Sequence, residues 1–482
     1  MLHSQTTSNE LVGSDYLELL AAKFVSSVAG LVPEKLISTI FASPLSARSP
    51  DLCMLWHPGY RKSHSAKISF KLFLSIFSGS LRGIIRLTTN FKPFGYAIYG
   101  KVEDSILVIP SLCGSQTPGG EYKTDYVETA KDDALFVFGP LKSCGTNSVR
   151  IKGLPFTEKL ILIGSLIKSG LDASNGLDCK VFDKIFLLLE WLSWSLSFRW
   201  LQDYYLEEFL SETVKKYNIQ KIGCIHEMHS YARVVWRVAR EYKANGYTVQ
   251  HAAFSDNKRW YICFPEETEN GLELPDIIYV YSSRVSNVLR QYYQKTDFRL
   301  GCSTRYAQWK DVDRSQKKGQ YYLFVGALAS FDNDVLIATL QRLLRNSKEA
   351  ISIMLRLHPF AELRGGVRSW IRSSVDKGDI SISRGDSSLI VDLENAIVVI
   401  GMSTTVLEEA LLLGRPVVQL QHPEYREFID IEGVEGVTKM DYRKLESKDL
   451  IDVSSLKVDH MEMRKRLGLH NDTVDYKRMF AR

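Results

Sequence analysis

Paired cysteines, long apolar runs and a strong net charge are all missing from this 482-residue chain. Its seven cysteines, Cys53, Cys113, Cys144, Cys179, Cys224, Cys263 and Cys302, stand singly, with no CxxC pair. That excludes a zinc ribbon or a secreted disulfide framework and reads as reduced thiols in a cytoplasmic protein. No uninterrupted apolar stretch reaches the roughly 18 residues of a membrane-spanning helix. The opening MLHSQTTSNELVGSDYLELL lacks the basic start and apolar core of a signal peptide. A net charge of +5, from 61 Lys plus Arg against 56 Asp plus Glu, is too mild to indicate a nucleic-acid partner. What remains, 45% hydrophobic, 24% charged and 11% aromatic, is the composition of a globular protein with a sizeable core.

A local absence matters as well. Residues 52–102 contain no acidic residue but eight basic ones: Arg61, Lys62, Lys67, Lys71, Arg82, Arg86, Lys92 and Lys101. Phe70, Phe73, Phe77, Phe91 and Phe94 are interleaved with them. Such a segment suits the surface of an anionic membrane, and equally a solvated basic face. A second apolar zone, Phe186 to Leu201, is interrupted by Glu190 and Arg199 and is expected to be a buried helix before an interfacial one.

From about Asp132 short apolar runs alternate with helical spacing. Ala134–Phe138 is an apolar run stopped by Gly139-Pro140, and Leu160–Ile167 is another apolar segment. Asp203–Tyr217 reads as a helix, Lys221–Ile225 as a strand and Tyr231–Lys243 as a helix ended by Asn245-Gly246; Tyr247–His251 is then a strand. The polar segment Lys310–Gln320 is the linker. Beyond it strands are expected at 321–325, 351–357, 396–400 and 416–420, with helices between them. Apolar strands alternating with helices indicate α/β units with parallel sheets covered on both faces. The expected architecture is two Rossmann-like domains facing across a cleft: an N-terminal extension to 130, a first domain at 131–310, a second at 320–455 and a helical tail at 456–482.

In open α/β sheets ligands sit at the carboxyl ends of the strands. Four segments stand there. In Ile397–Thr405 a buried strand ends at Gly401, and Ser403, Thr404 and Thr405 then open a helix. First-turn amides and these hydroxyls can hold a phosphate, or Ser403 or Thr404 caps the helix. Glu409, one turn on, is placed to accept from ribose hydroxyls. His358-Pro359 follows the strand before it, where an imidazole can relieve charge on a departing phosphate. Other His-Pro pairs occur at 57–58 and 422–423. In His226-Glu227-Met228-His229, Glu227 is a candidate general base; no companion cluster supports a metal, and none is expected. Asp256 is a second base candidate, while Lys258, Arg259 and Trp260 suit an acidic or sugar-bearing acceptor.

Taken together, these elements over about Phe136 to Phe428 resemble the GT-B glycosyltransferases of bacterial surface-polysaccharide assembly. The nearest in motif are those that use CMP-activated acidic sugars, the sialyltransferases and Kdo transferases. His358-Pro359 and Ser403-Thr404 match their His-Pro and Ser-Thr motifs in type, order and domain. The paired carboxylates that supply their base are absent here, so Glu227 is not carried over from the family. The resemblance implies a metal-independent, cofactor-free, inverting transferase that takes a nucleotide-sugar donor and a glycan or lipid-linked acceptor. A cytoplasmic place is expected, and the basic segment 52–102, which lies outside the resemblance, separately suggests a peripheral position on the inner face of the membrane. The same motifs resemble CDP-glycerol phosphotransferases, and Glu408-Glu409-Ala410 before Gly414-Arg415-Pro416 is similar to UDP-sugar 2-epimerases. A non-catalytic glycan-assembly protein of the same fold is the remaining alternative.

Overall fold

The computed structural model describes residues 14–43, 45, 95–99, 106–109, 115–116, 122–123, 135–141, 148–150, 153–198, 200–224, 230–250, 254–255, 258, 261–302, 306, 309–310, 319–327, 330–346, 351–358, 361, 363, 365–383, 388–423, 427–429 and 431–474. The linker at 310–320 and the basic segment at 52–102 lie largely outside them. The chain divides into two compact units. The first holds residues 1–251, 259–305 and 473–482, and the second 252–258 and 306–472.

Among the described residues the first unit carries an eight-stranded sheet. Its strands are β1 (Gly95–Tyr99), β2 (Ile106–Ile109), β5 (Leu135–Leu141), β6 (Ser148–Arg150), β7 (Lys221–Cys224), β8 (Asn245–Val249), β9 (Ile277–Val280) and β10 (Asp297–Leu300). A separate two-stranded ladder joins β3 (Ser115–Gln116) to β4 (Tyr122–Lys123). In the large sheet the order is β10-β9-β8-β7-β2-β5-β1-β6. Every pairing from β10 to β5 is parallel, and β1 pairs antiparallel with both β5 and β6. The sheet therefore begins inside the segment expected to be an extension, since β1 and β2 both precede residue 130.

Two turn expectations are corrected. Gly139-Pro140 does not stop the strand, because β5 runs on to Leu141. The ladder shifts register between Gly95 and Ala97 of β1, opposite that dipeptide, and an irregularity of this kind is where a sheet tolerates proline. The helix after β7 spans Ser230–Glu241, and Asn245-Gly246 opens β8 instead of ending that helix. Lys243 takes the left-handed conformation (φ 55°). The Ala244 N–H then reaches the Ala239 carbonyl at 2.8 Å, a Schellman closure built on lysine instead of glycine.

The apolar segment Leu160–Ile167 is the middle of a long helix, Phe156–Gly176, which a four-residue link joins to a second helix, Val181–Leu196. The two pack as a hairpin: the buried Trp191 indole donates to the Leu166 carbonyl at 2.8 Å. No helix among the described residues is long and apolar enough to cross a membrane.

The second unit carries a six-stranded, wholly parallel sheet of β11 (Tyr321–Val325), β12 (Ile353–Arg356), β13 (Ser381–Ile382), β14 (Ala396–Gly401), β15 (Val417–Gln421) and β16 (Val437–Asp441), ordered β13-β12-β11-β14-β15-β16. Phe324, Leu355, Val398, Ile400, Val418 and Leu420 are fully buried in its core. That is why these strands read as unbroken apolar runs instead of alternating ones. The helices Ser330–Asn346, Gly365–Asp376 and Val406–Leu412 connect them. Thr473, in the tail, bridges to Cys302 within the first unit.

Replacing Trp191 by Ala removes a buried ring and a hydrogen bond together. It should destabilise the first unit by about 3–5 kcal/mol, seen as a lower denaturant midpoint for the transition that carries this unit.

Candidate functional site in the second unit

Numbered by their order in the chain, the strands of the second sheet run 3-2-1-4-5-6. The chain builds outward from β11 through β12 to β13 on one side and then crosses to β14 on the other, so the reversal of strand order lies between β11 and β14, the position at which open α/β sheets receive ligands. Three turns meet there: Gly326-Ala327 after β11, Leu357-His358 after β12 and Gly401–Thr405 after β14. His358 and Ser403 thus lie at the same edge of one sheet, on the two strands that flank β11. Two strand spacings separate those strands, on the order of 10 Å.

Local packing draws the turns together. The Gly326 N–H donates to the Arg356 carbonyl at 2.8 Å. A Cβ on Gly326 would meet Asn333 Oδ1 at 2.6 Å, and one on Gly401 would meet Val325 and Thr404 at 3.0 Å. Only glycine leaves that room, and Asn333 uses it: its side chain accepts from the Ala327 N–H (3.1 Å) and donates to the Ala327 carbonyl (2.9 Å). Arg356 is held in an ion pair with Asp392 and donates to Ser383 at 2.9 Å, bracing the end of β12. Beyond it the Ala361 N–H donates to the half-buried His358's carbonyl at 2.9 Å and closes a turn.

Ser403 is the brace of the site. Its hydroxyl accepts from the Phe428 N–H at 3.1 Å and hydrogen-bonds the carboxyl of Asp332, on the first turn of helix Ser330–Asn346. Asp332 is buried, and its Oδ1 has no hydrogen-bond partner. Burial pushes its pKa up to about 8, with the Ser403 bond acting in the opposite direction. The carboxyl is therefore largely neutral at pH 7. Phe331, beside it, packs edge-on to Phe428 at 6.3 Å between ring centroids.

The expected amide cradle is not formed as drawn from the sequence. Helix Val406–Leu412 is seven residues long. Its first amides are already used within the chain: Val406 N–H by Thr404 Oγ1 (3.4 Å), Leu407 N–H by the Thr404 carbonyl (3.2 Å) and Glu408 N–H by the Thr405 carbonyl (3.0 Å). Thr404 is buried, and the half-buried Thr405 is the N-cap residue, with no side-chain cap bond to the helix amides. Glu409 is buried in the same helix; its neighbour Glu408 accepts from the Tyr306 phenol at 3.1 Å. Lys258 is buried, in a segment that clusters with the second unit, and its N–H donates to the Ser255 carbonyl at 2.8 Å. Glu227, Asp256, Arg259, Trp260 and Pro359 lie outside the described residues. Among the described residues no group of three His, Cys, Asp or Glu side chains is arranged to hold a metal ion. Asp332 and Asn333 were not singled out from the sequence; their one signal is an Asp-Asn pair opening a helix just past an apolar strand.

No family profile and no curated protein matches this sequence. Solved structures give low-identity likenesses. UDP-GlcNAc 2-epimerase from Methanocaldococcus jannaschii, in complex with UDP-GlcNAc and UDP, has a TM-score of 0.39 at 13% identity, covering 55% of this chain and 78% of that one. The S. aureus MnaA–UDP structure has a TM-score of 0.38 at 12% identity, covering 76% and 91%. The pneumococcal O-GlcNAc transferase GtfA, in complex with UDP and GlcNAc, has a TM-score of 0.34 at 15% identity over 56% of this chain; the match spans about half, 53%, of GtfA.

Two outcomes follow from the site geometry. Because folding raises the Asp332 pKa above its unfolded value, the native state holds this proton between about pH 4 and pH 8 while the unfolded chain releases it. Its contribution to stability falls across that window. Asp332→Asn, which keeps an acceptor for Ser403, should flatten the decline and stabilise the second unit by about 1–3 kcal/mol at pH 8, read from thermal unfolding against pH. Gly401→Ala should cost about 1–3 kcal/mol by overpacking the β11–β14 contact, measured by chemical unfolding.

Proposed function

We propose that this chain is a nucleotide-sugar enzyme, with the nucleotide at the switch point of the second sheet and glycosyl transfer as its chemistry. The observation that carries the reading is the convergence of three turns, 326–327, 357–358 and 401–405, at the reversal of strand order. A cleft at such a reversal is where open α/β sheets bind nucleotides. Asn333, Asp332 and Ser403 hold it in shape.

In this reading His358 and Thr405 face the donor's phosphate, Ser403 and Thr404 fix the turn around it, and Glu409 serves the ribose. The acceptor hydroxyl oxygen attacks the anomeric carbon while the bond from that carbon to the phosphate oxygen breaks. Glu227, with Asp256 as second candidate, takes the hydroxyl proton. An imidazolium at His358 offsets charge on the leaving nucleotide, so no metal or cofactor takes part in the step. Lys258, Arg259 and Trp260 receive an acidic or sugar-bearing acceptor, a glycan or a lipid-linked one. A CMP-activated acidic sugar is the finer reading of the donor, and direct displacement would then invert the anomeric centre. Cytoplasmic donor pools fit this chemistry.

The second reading, a UDP-sugar 2-epimerase, draws on the buried Glu408–Glu409 pair and on the sequence that follows it. Product analysis separates the two. With CMP-, UDP- and CDP-linked donors offered singly, a transferase releases nucleotide only when an acceptor glycan is added. An epimerase forms the 2-epimer of UDP-GlcNAc with no acceptor. Glu227→Gln should lower kcat about 100-fold or more while leaving the donor KM within about threefold; His358→Ala should lower kcat comparably. Consumption of CDP-glycerol alone, or unchanged kcat in both variants, would overturn the proposal.

A further inference from the structure

Asp332, on the first turn of helix Ser330–Asn346, is a buried carboxyl with its two oxygens unequally treated. One faces the Ser403 hydroxyl, and Oδ1 has no hydrogen-bond partner among the described residues. A neutral carboxyl needs an acceptor for its proton. The oxygen facing Ser403 has one within reach and Oδ1 does not, so the proton of the neutral acid is donated to Ser403 Oγ.

A serine hydroxyl has one proton to give and two lone pairs to receive with. Ser403 Oγ already accepts from the Phe428 N–H at 3.1 Å. When Asp332 donates as well, both lone pairs are used and the serine's own proton is left for a third group. Ser403 is half-buried and Asp332 buried, so the serine is the member of the pair that a ligand can touch. When Asp332 is ionised the direction reverses: the carboxylate takes the serine proton, and Ser403 has lone pairs alone to present. That direction matters because donors are scarce at this turn. The Val406, Leu407 and Glu408 amides are spent inside the chain. A phosphate oxygen accepts hydrogen bonds, so the first arrangement attracts it and the second repels it.

We propose that Asp332 is a positioning residue for the nucleotide phosphate: protonated, it turns the Ser403 proton towards a phosphate oxygen, and ionised it withdraws that proton. The proposal rests on the reading that puts a nucleotide phosphate at residues 401–405. The charged and titratable groups of the surrounding segments are Asp334 on the same helix, Arg356 and His358 at the end of β12, Glu408 and Glu409 after the Ser403 turn, and Glu427 beside Phe428. Arg356 is paired with Asp392, Glu427 with Lys439 at 3.4 Å, and Glu408 accepts from the Tyr306 phenol. Among the described residues none of these shifts the Asp332 carboxyl; burial raises it to about 8, against the Ser403 bond. A bound phosphate adds negative charge beside the pair and opposes ionisation further, so binding above that pH takes up a proton.

The test is isothermal titration of the full chain with CMP and with UDP at about pH 7.5 and pH 9. With the carboxyl titrating near 8, native affinity should fall about eightfold between the two. Asp332→Asn offers Ser403 an uncharged donor, and its affinities at the two pH values should agree within about twofold. Titration of His358 and of the nucleotide is common to both proteins and cancels in that comparison. Ser403→Ala, which removes the relayed proton, should bind about tenfold more weakly at pH 7.5 and show a smaller fall to pH 9. Native affinity that is level across the window, or a fall of native size in either variant, overturns the proposal and leaves the nucleotide site standing. Native protein that binds neither nucleotide at pH 7.5 overturns the nucleotide reading itself, and this proposal with it.

Discussion

Everything in the second unit turns on how closely the β11 and β14 ends approach. A Cβ on Gly401 would meet Val325 of β11 at 3.0 Å, while one on Gly326 would meet Asn333 Oδ1 at 2.6 Å and Leu357 at 3.1 Å, so β14 packs closely on β11 and the turn after β11 packs on its following helix and on the turn after β12. Two polar side chains from the following helix fasten that contact, Asn333 to the Ala327 backbone and Asp332 to Ser403. The cost is a carboxyl held away from water with one oxygen unpartnered. It is met by keeping the group protonated, which is cheaper than burying a charge. Turns fastened this way are preorganised, which reduces the ordering cost of any binding there.

The first unit obeys the same topological rule with an added edge. Its parallel strands leave β2 toward β5 on one side and toward β7 on the other, so a second reversal of strand order lies between β2 and β7. The sequence segment that follows β7 is His226-Glu227-Met228-His229, the stretch from which a base was expected. The antiparallel strands β1 and β6 close the far edge. The long helical hairpin stands between β6 and β7 in the chain, so this unit is more than a repetition of the second.

Much of the second unit could be read from residues alone. Tyr321–Val325 was bounded to the residue, because a five-residue apolar run between a glycine-ended polar stretch and a glycine has one reading. The expected 396–400 and 416–420 strands were within a residue for the same reason. The first unit was harder. Its opening strands lie far from the helices that cover them, and Leu160–Ile167 is apolar without the wider context that shows a 21-residue helix. Proline in β5 and lysine in a left-handed turn both run against local preference, and tertiary packing decided each. Asp332 escaped notice because a sequence does not say which carboxyl is buried. Ser403 was found for its hydroxyl, but its bond to Asp332 joins two segments about 70 residues apart, which spacing alone could not reveal.

The proposed nucleotide would sit at the reversal point of the second sheet. Photolabelling the intact chain with azido-UDP and azido-CMP, followed by peptide mapping, tests it most directly. The account predicts adducts on peptides spanning 326–333, 357–363 or 401–409, displaced by excess unmodified nucleotide. Displaceable adducts confined to the first unit, or labelling that excess nucleotide leaves unchanged, would contradict it.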